Sequence, residues 1–449
     1  GAPRKGISVM KPFPPRIVVV YLIAAVTGIL SASTLLAQET YALEYFGGPA
    51  GQSPTTAAVG SLNERGQFIV NYMVSYPGQR SCTCAPGHSF TQLPLPSGYA
   101  YSVANDIDNG GVIVGTVTLS AGRGRAAVWD PTPGGYVVRT LEGLPGHQFS
   151  AAVASNNLGD IIGFSYATSS STAVPVWFRP DGSVVALSTV GYPATLSVVD
   201  DISDPRLVCG NQYRLDLNTQ TLTDLGLPPT PPGGVHYISV TSMAINDSGQ
   251  VAAIGVLSSS SHPWHIIRYT DGIGWQVISI FALTYGAPFD INNDGSVLMG
   301  TSSGSALDLI VYSDTAGLYL PGNHLESEAF YWLPQTYPAR LNNAGQIVAT
   351  VLNVNNSDQR FGLALLTPIG RNILPGDVNA DGHVRLDDLC AWAAGPIDLD
   401  GDGVADAADE QFLIDRLAER GLTTQDCNAN NTWDYCEIAA GSAPDCDRN

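Results

Sequence analysis

Lysine is nearly absent from this chain. Of 449 residues only Lys5 and Lys11 are lysines, and both sit in the opening stretch. Acidic residues number 40 against 20 lysines and arginines, for a net charge of −20. No basic patch exists to meet phosphates, which excludes nucleic acid as a partner. Charged residues make up 13% of the chain and hydrophobic ones 44%. That is too little charge for a disordered chain and enough apolar surface for a large core, and the length favours two or more domains. Catalytic signatures are also missing: there is no His-Glu-x-x-His, no P-loop and no dinucleotide fingerprint. Gly300-Thr-Ser302-Ser-Gly304 matches the Gly-x-Ser-x-Gly elbow as a string. The elbow needs a helix next, whereas Ser305 to Tyr312 reads as a strand. His262 and His265 flank Trp264 and read as strand and turn residues rather than as metal ligands.

The opening stretch has the form of an export signal, assigned to residues 1–37. Arg4, Lys5, Lys11 and Arg16 form a positive region, Ile17 to Leu30 is apolar, and Ala37 is a cleavage point before Gln38. The expected location is outside a bacterial cell, secreted or at the cell surface, with no membrane span after cleavage. A retained anchor is the rival reading, but the apolar run is short for a span. The chain starts without Met and stops in mid-pattern, as expected of a fragment. Export permits disulfides. Seven cysteines are present: Cys82, Cys84, Cys209, Cys390, Cys427, Cys436 and Cys446. Cys82-Thr-Cys84, in a Pro/Gly-rich stretch, reads as a local bridge or structural pairing, and Cys209 as a buried free thiol on an apolar strand.

Between leader and tail an internal repeat fills the chain. A four-residue core, Asn/Asp-x-x-Gly, begins at Asn63, Asp108, Asn156, Asn246, Asn292 and Asn342, and a degenerate copy at Ser203 fills the gap. First positions are 45, 48, 47, 43, 46 and 50 residues apart, giving seven units. A small-apolar run enters each turn and a β-rich run such as Val112-Ile-Val-Gly115 leaves it. An aromatic strand such as Ala127-Val-Trp129 and a last short strand complete the unit. Four strands per roughly 40–50 residues is the blade period of a β-propeller, and such sheets bury both faces only by stacking. The expected fold is therefore mainly β, a seven-bladed propeller over residues 38–370. The last unit ends at Arg360 to Leu366 without a final strand, so Tyr41 to Phe46 is expected to supply it. An open solenoid is the alternative. Propellers can host glycosidases through paired carboxylates in the central channel. Asp106, Asp290 and Asp308 are candidates, though nothing singles out a pair.

The tail is acidic, with 17 Asp and Glu against 4 Arg from Gly376 to Asn449. Asp377, Asn379, Asp381 and Asp388 fall at positions 1, 3, 5 and 12 of a calcium-loop pattern, with Gly382 at the turn position and His383 offering a carbonyl at position 7. Asp398, Asp400, Asp402, Val404, Asp406 and Asp409 repeat the pattern 21 residues on, and Asp406 adds a ligand at position 9. This spacing wraps oxygens around a hard cation, so Ca2+ is the expected cofactor. A third set, Asp426, Asn428, Asn430, Thr432, Asp434 and Glu437, follows the same spacing, with Asn431 in place of the glycine.

Three resemblances follow from these residues. Ala244-Ile-Asn-Asp-Ser-Gly-Gln250 and Arg340-Leu-Asn-Asn-Ala-Gly-Gln-Ile-Val348 resemble the HAF-family extracellular repeats, which implies an exported β-repeat protein and no catalytic residues. Residues 376–421, opening on Gly376-Asp-Val-Asn-Ala-Asp-Gly-His-Val384, resemble a type I dockerin. That implies two helices, with Leu413, Ile414 and Leu417 as an apolar stripe, and a cohesin-like protein partner. Arg385 at position 9 of loop one departs from the pattern. So do Leu386-Asp387 and Ala407-Ala408 at positions 10 and 11, which puts docking to a standard cohesin in doubt. Residues 426–449 resemble a truncated thrombospondin type 3 calcium repeat, which implies a Cys436–Cys446 pair. The combined expectation is a non-enzymatic binding or adhesion-type protein, its propeller taking a polysaccharide or surface ligand. The alternative is an extracellular polysaccharide-active enzyme.

Overall fold

The computed structural model describes residues 40–46, 57–75, 78–119, 124–230, 236–258, 264–279, 288–303, 306–321, 330–332, 339–353 and 361–369, then 378, 386–394 and positions 407, 410, 411, 413, 414 and 417. The leader and residues 426–449 lie outside this set.

Seven antiparallel sheets account for every described strand, one per repeat unit. Blade 2 shows the plan: an inner strand Tyr101–Ile107, then Ile113–Thr118, Arg125–Thr132 and an outer strand Gly135–Leu141. Burial follows from position. The second strand lies between its own neighbours and the adjacent blades, so Ile113, Val114 and Val117 are all fully buried. This is why the unit carries a continuous apolar run after its turn rather than an alternation. The outer strand, half in water, has no fully buried residue. Glycine in the second strand has a steric reason. A Cβ on Gly115 would run into the Val103 carbonyl, and one on Gly163 into that of Ala151.

Each Asn-x-x-Gly turn is built by its own residues. In blade 1 the Asn63 side-chain oxygen accepts the N–H groups of Arg65 and Gln67, both at 3.0 Å, and Gly66 takes φ +72°. An Asx oxygen thus stands in for the backbone, and glycine supplies the left-handed conformation without a Cβ clash. The fourth unit breaks the rule: Arg206 occupies the glycine position at φ +69°. Its guanidinium explains its presence. Arg206 Nε donates to Asp160 of the preceding blade at 2.6 Å, and that carboxylate is fully buried.

The ring closes as expected. Tyr41–Phe46 pairs antiparallel with Phe361–Pro368, Tyr41 opposite Pro368 and Phe46 opposite Leu363. It forms the outer strand of blade 7, so both chain ends of the propeller share one sheet. The inner edge of that blade is made in two pieces, Phe330–Trp332 and Arg340–Leu341, both paired with Ile347–Asn353.

Cys82 and Cys84 correct the sequence reading. They lie in the strand Gly78–Cys84, both are free, and both are buried in the core between blades 1 and 7. Two residues apart on a strand, their side chains share a face and pack among Phe46, Phe68 and other apolar groups. Cys209 is free and fully buried, as expected. In the tail, α1 spans Leu386–Ala394, and its Leu389 and Trp392 pack with Leu413 and Leu417. Cys390 on this helix is disulfide-bonded. The Cys436–Cys446 pair lies outside the described residues.

Candidate functional site: the central channel

The inner strands line a channel, and a shared irregularity aims their side chains into it. Register shifts fall between Ala104 and Asp106, Ala152 and Ala154, Ser242 and Ala244, and Pro288 and Asp290, with a similar one between Val59 and Leu62. A bulge of this kind rotates the strand locally, so in these five blades the residues two and three before the turn both face inward; the short inner strands Asp201–Ile202 and Arg340–Leu341 of blades 4 and 7 pair without a register shift. Two before the turn stand Ser61, Asp106, Ala154, Asp201, Ala244, Asp290 and Arg340; three before it are Gly60, Asn105, Val153, Asp200, Met243 and Phe289 in the first six units. Together they bound a cavity of about 530 Å³.

The carboxylates occupy alternate blades and do the same task. Asp106 accepts the Ser155 N–H at 2.7 Å, Asp201 the Ile245 N–H at 2.9 Å and Asp290 the Leu341 N–H at 3.1 Å. Each thus ties its blade to the next. Burial pushes the Asp201 carboxyl well above the usual carboxylate range, and the nearby charges of Asp106 and Asp290 add to this. Burial lifts Asp290 to about 6 against the opposing pull of Arg340. Asp200 is likewise lifted to about 6 by burial, despite the Ser242 hydroxyl donating to it at 2.8 Å.

At the turn end, the second residue of every turn makes a closed ring. The N–H of Glu64 donates to the Asn109 side chain, Asn109 to Asn157, Asn157 to Asp204 and Asp204 to Asp247, at 3.0, 2.8, 2.7 and 2.9 Å. Asp247 then donates to Asn293, Asn293 to Asn343, and Asn343 back to Glu64, at 2.9, 2.7 and 3.0 Å. Asn63, Asn156, Asn246 and Asn342 add a second tier, each amide donating to the carbonyl of the next turn's first residue. Sequence reading took the repeat from its first and fourth positions. The side-chain oxygen at every second position was the available signal for the ring, and it persists in the degenerate copy as Asp204.

Of the sequence candidates, the channel brings Asp106 and Asp290 together. Asp308 does not join them, because it lies in the third strand of its blade, Ala306–Ser313. Asp200, Asp201 and Arg340 were missed. Ser302 sits in a strand, Val297–Ser303, paired with Leu307, so no nucleophile elbow forms. His265 lies on Trp264–Thr270, its Nδ1 2.6 Å from the Tyr237 hydroxyl. His262 lies outside the described residues. Among the described residues no three His, Cys, Asp or Glu side chains converge as a metal-ligand set. Of the expected calcium ligands only Asp388 is described. It is buried at the start of α1, and one of its oxygens accepts the Val378 N–H at 2.7 Å. The expected ligands numbered 377–383 and 398–437 lie outside the described residues.

No family model matches the chain, and no curated protein matches it. Solved structures show a distant similarity over most of the chain. An oligogalacturonate lyase in complex with manganese is 10% identical, covering 74% of this chain and 97% of that one, with a TM-score of 0.45. The oligogalacturonate lyase from Vibrio parahaemolyticus is 9% identical over 73% of this chain and 97% of that one, with a TM-score of 0.46. TolB from Acinetobacter baumannii is 12% identical over 73% and 80%, with a TM-score of 0.34. At these identities and TM-scores the likenesses carry no argument, and the seven-bladed β-propeller is read from this chain's own seven sheets.

Proposed function

We propose that this is an exported, non-enzymatic binding or adhesion-type protein. Its propeller takes a ligand at the channel, and its tail is a calcium-dependent attachment module. The observation that carries the binding reading is the use made of the channel carboxylates. Asp106, Asp201 and Asp290 each hold a main-chain N–H of the next blade. A general acid or nucleophile is oriented by the reacting bond, whereas these carboxyl groups are oriented by the main chain of the next blade. The disulfide at Cys390 supports export.

For the tail, the Val378–Asp388 hydrogen bond brings together positions 2 and 12 of loop one, which fits a closed calcium loop. The packing of Leu389 and Trp392 on Leu413 and Leu417 fits paired helices of the dockerin kind. Asp377, Asn379, Asp381 and Asp388 would hold one ion, Asp398 to Asp409 a second, and Asp426 to Glu437 a third. Calcium, when bound, neutralises these clustered carboxylates, so its binding free energy becomes folding free energy for the tail.

The test incubates the full chain with extracellular polysaccharides and follows both retention and release of new chain ends. Retention without cleavage is expected. Steady release of new ends, abolished by Asp290→Asn, would establish the enzymatic alternative instead.

A further inference from the structure

We infer that the channel, on the side away from the turns, is a binding site for a neutral, polyhydroxylated chain such as an uncharged oligosaccharide, and that it discriminates against acidic ones. The inference rests on the binding reading above and names its ligand class.

The cavity of about 530 Å³ falls within the usual size range of small-ligand sites. Its wall presents unspent donors and unspent acceptors side by side. Arg340 gives one guanidinium N–H to the Ala339 carbonyl at 3.0 Å and, among the described residues, makes no other hydrogen bond. Gln79 lines the same space and makes no side-chain hydrogen bond among the described residues. On the acceptor side, the Asn105 amide donates to the Ala152 carbonyl at 2.6 Å, leaving its oxygen available. Asp201 and Asp290 each accept two main-chain N–H groups, their own neighbour's and the next blade's. A carboxylate offers about four lone-pair sites, so each keeps acceptor capacity toward the cavity.

Hydroxyl groups answer both kinds of partner, because each donates and accepts. Charge selects further. One guanidinium faces the carboxyl groups of Asp106, Asp200, Asp201 and Asp290, so an anionic chain meets net repulsion in a confined space. The lifted carboxyls of Asp200 and Asp290 also carry protons for part of the time near neutrality, which adds donors and lowers the attraction for a cation. The turn end is different. There the second-position oxygens are already engaged around the whole ring, so the ligand is assigned to the opposite end.

Calorimetry on the full chain tests this with neutral gluco-, manno- and galacto-oligosaccharides, with oligogalacturonate, and with hexylamine as a simple cation. At least one neutral oligosaccharide should bind saturably. Arg340→Ala and, independently, Gln79→Ala should each raise its Kd, the arginine change by about tenfold or more. Gln79→Ala removes no side-chain hydrogen bond among the described residues, so it reads the site even if Arg340→Ala perturbs folding. Binding of oligogalacturonate or hexylamine alone overturns the inference. So does a neutral ligand that both variants bind as well as the parent, or no binding at all. Cleavage of a bound neutral chain would sink the non-enzymatic reading while leaving this site standing. Binding insensitive to both variants would do the reverse.

Discussion

The main-chain N–H of Asn343 donates to Oε1 of Glu64 across 3.0 Å, although 279 residues separate the two. The other glutamate oxygen accepts the Ala344 N–H at 3.2 Å. Six junctions of the turn ring use short Asn or Asp side chains, and the junction between the last and first blades uses this longer one. Glu64 therefore latches the seam with two hydrogen bonds while the strand Tyr41–Phe46 closes it from the outside.

Glu64→Ala leaves two main-chain donors at the seam without acceptors. It should cost about 1–3 kcal/mol in urea unfolding. Glu64→Gln keeps one acceptor and removes a charge that faces Asp247 and Asp204, so its loss should be clearly smaller. Equal losses in the two variants would contradict the latch.

Removing residues 38–48 exposes the edge of the strand Phe361–Pro368 from Leu363 to Pro368. An unpaired edge recruits other chains. The truncated protein should elute as oligomers and scatter light on mild heating while the full chain remains a single species. An unchanged elution profile and melting temperature would refute closure by this strand.

Asp160 is fully buried and receives Arg206 Nε at 2.6 Å and Trp177 Nε1 at 2.9 Å. Asp160→Ala orphans both donors. The cost should be about 2–3 kcal/mol, below the roughly 3–5 kcal/mol of a fully enclosed pair because Arg206 keeps contact with water. Denaturant midpoints at constant slope measure it. Arg206→Gly, which relieves the positive φ but leaves the buried charge unpaired, should still destabilise.

The propeller should gain stability on mild acidification. Asp200 and Asp290 are lifted to about 6 and Asp201 also well above its ordinary 3.8, in each case first by burial. A carboxyl that binds its proton more tightly when folded favours the folded state as it takes the proton up. The gain therefore accrues as pH falls through about 6 toward the unfolded value near 4. His265, held low by burial, opposes the gain within this window as one group against three carboxyls, and Asp314, held low by Arg268, does so only below its ordinary range. The β-signal melting temperature, followed in chelator so that the tail does not contribute, should be higher at pH 5 than at pH 7. A lower value there would contradict the channel electrostatics.

Chelation should separate tail from propeller. Adding calcium to the full chain should be registered by calorimetry, with the site at Asp398–Asp409 the tightest, since Arg385 occupies a ligand position in the first loop. Chelator should then remove helical signal while the β transition stays at the same temperature. A collapse of both transitions together, or no calcium uptake, would rule this out.

The sequence by itself determined the blade count, the turns and the closing strand. The first two depend on contacts a few residues long or on strand periodicity: an Asn oxygen accepting N–H groups two and four residues on, a glycine at positive φ, an apolar run sandwiched between blades. By the same strand periodicity His265 reads as a strand residue, and Ser305 to Tyr312 as a strand rather than a helix. The third follows from a last unit that lacks its outer strand, which Tyr41–Phe46 supplies. Only the tertiary structure decided what lines the channel and what seals it. Asp201 and Arg340 look like ordinary strand positions until seven inner strands are set around one channel. The hydrogen-bond ring links residues from 43 to 50 positions apart, with its last bond spanning 279. Cys82 and Cys84 taught the same lesson in reverse. Their spacing suggested a bridge, but the packing of the closing strand against blade 1 made both of them core residues. Local turn chemistry is written in each unit, whereas the channel and its seam exist only once seven units meet in a ring.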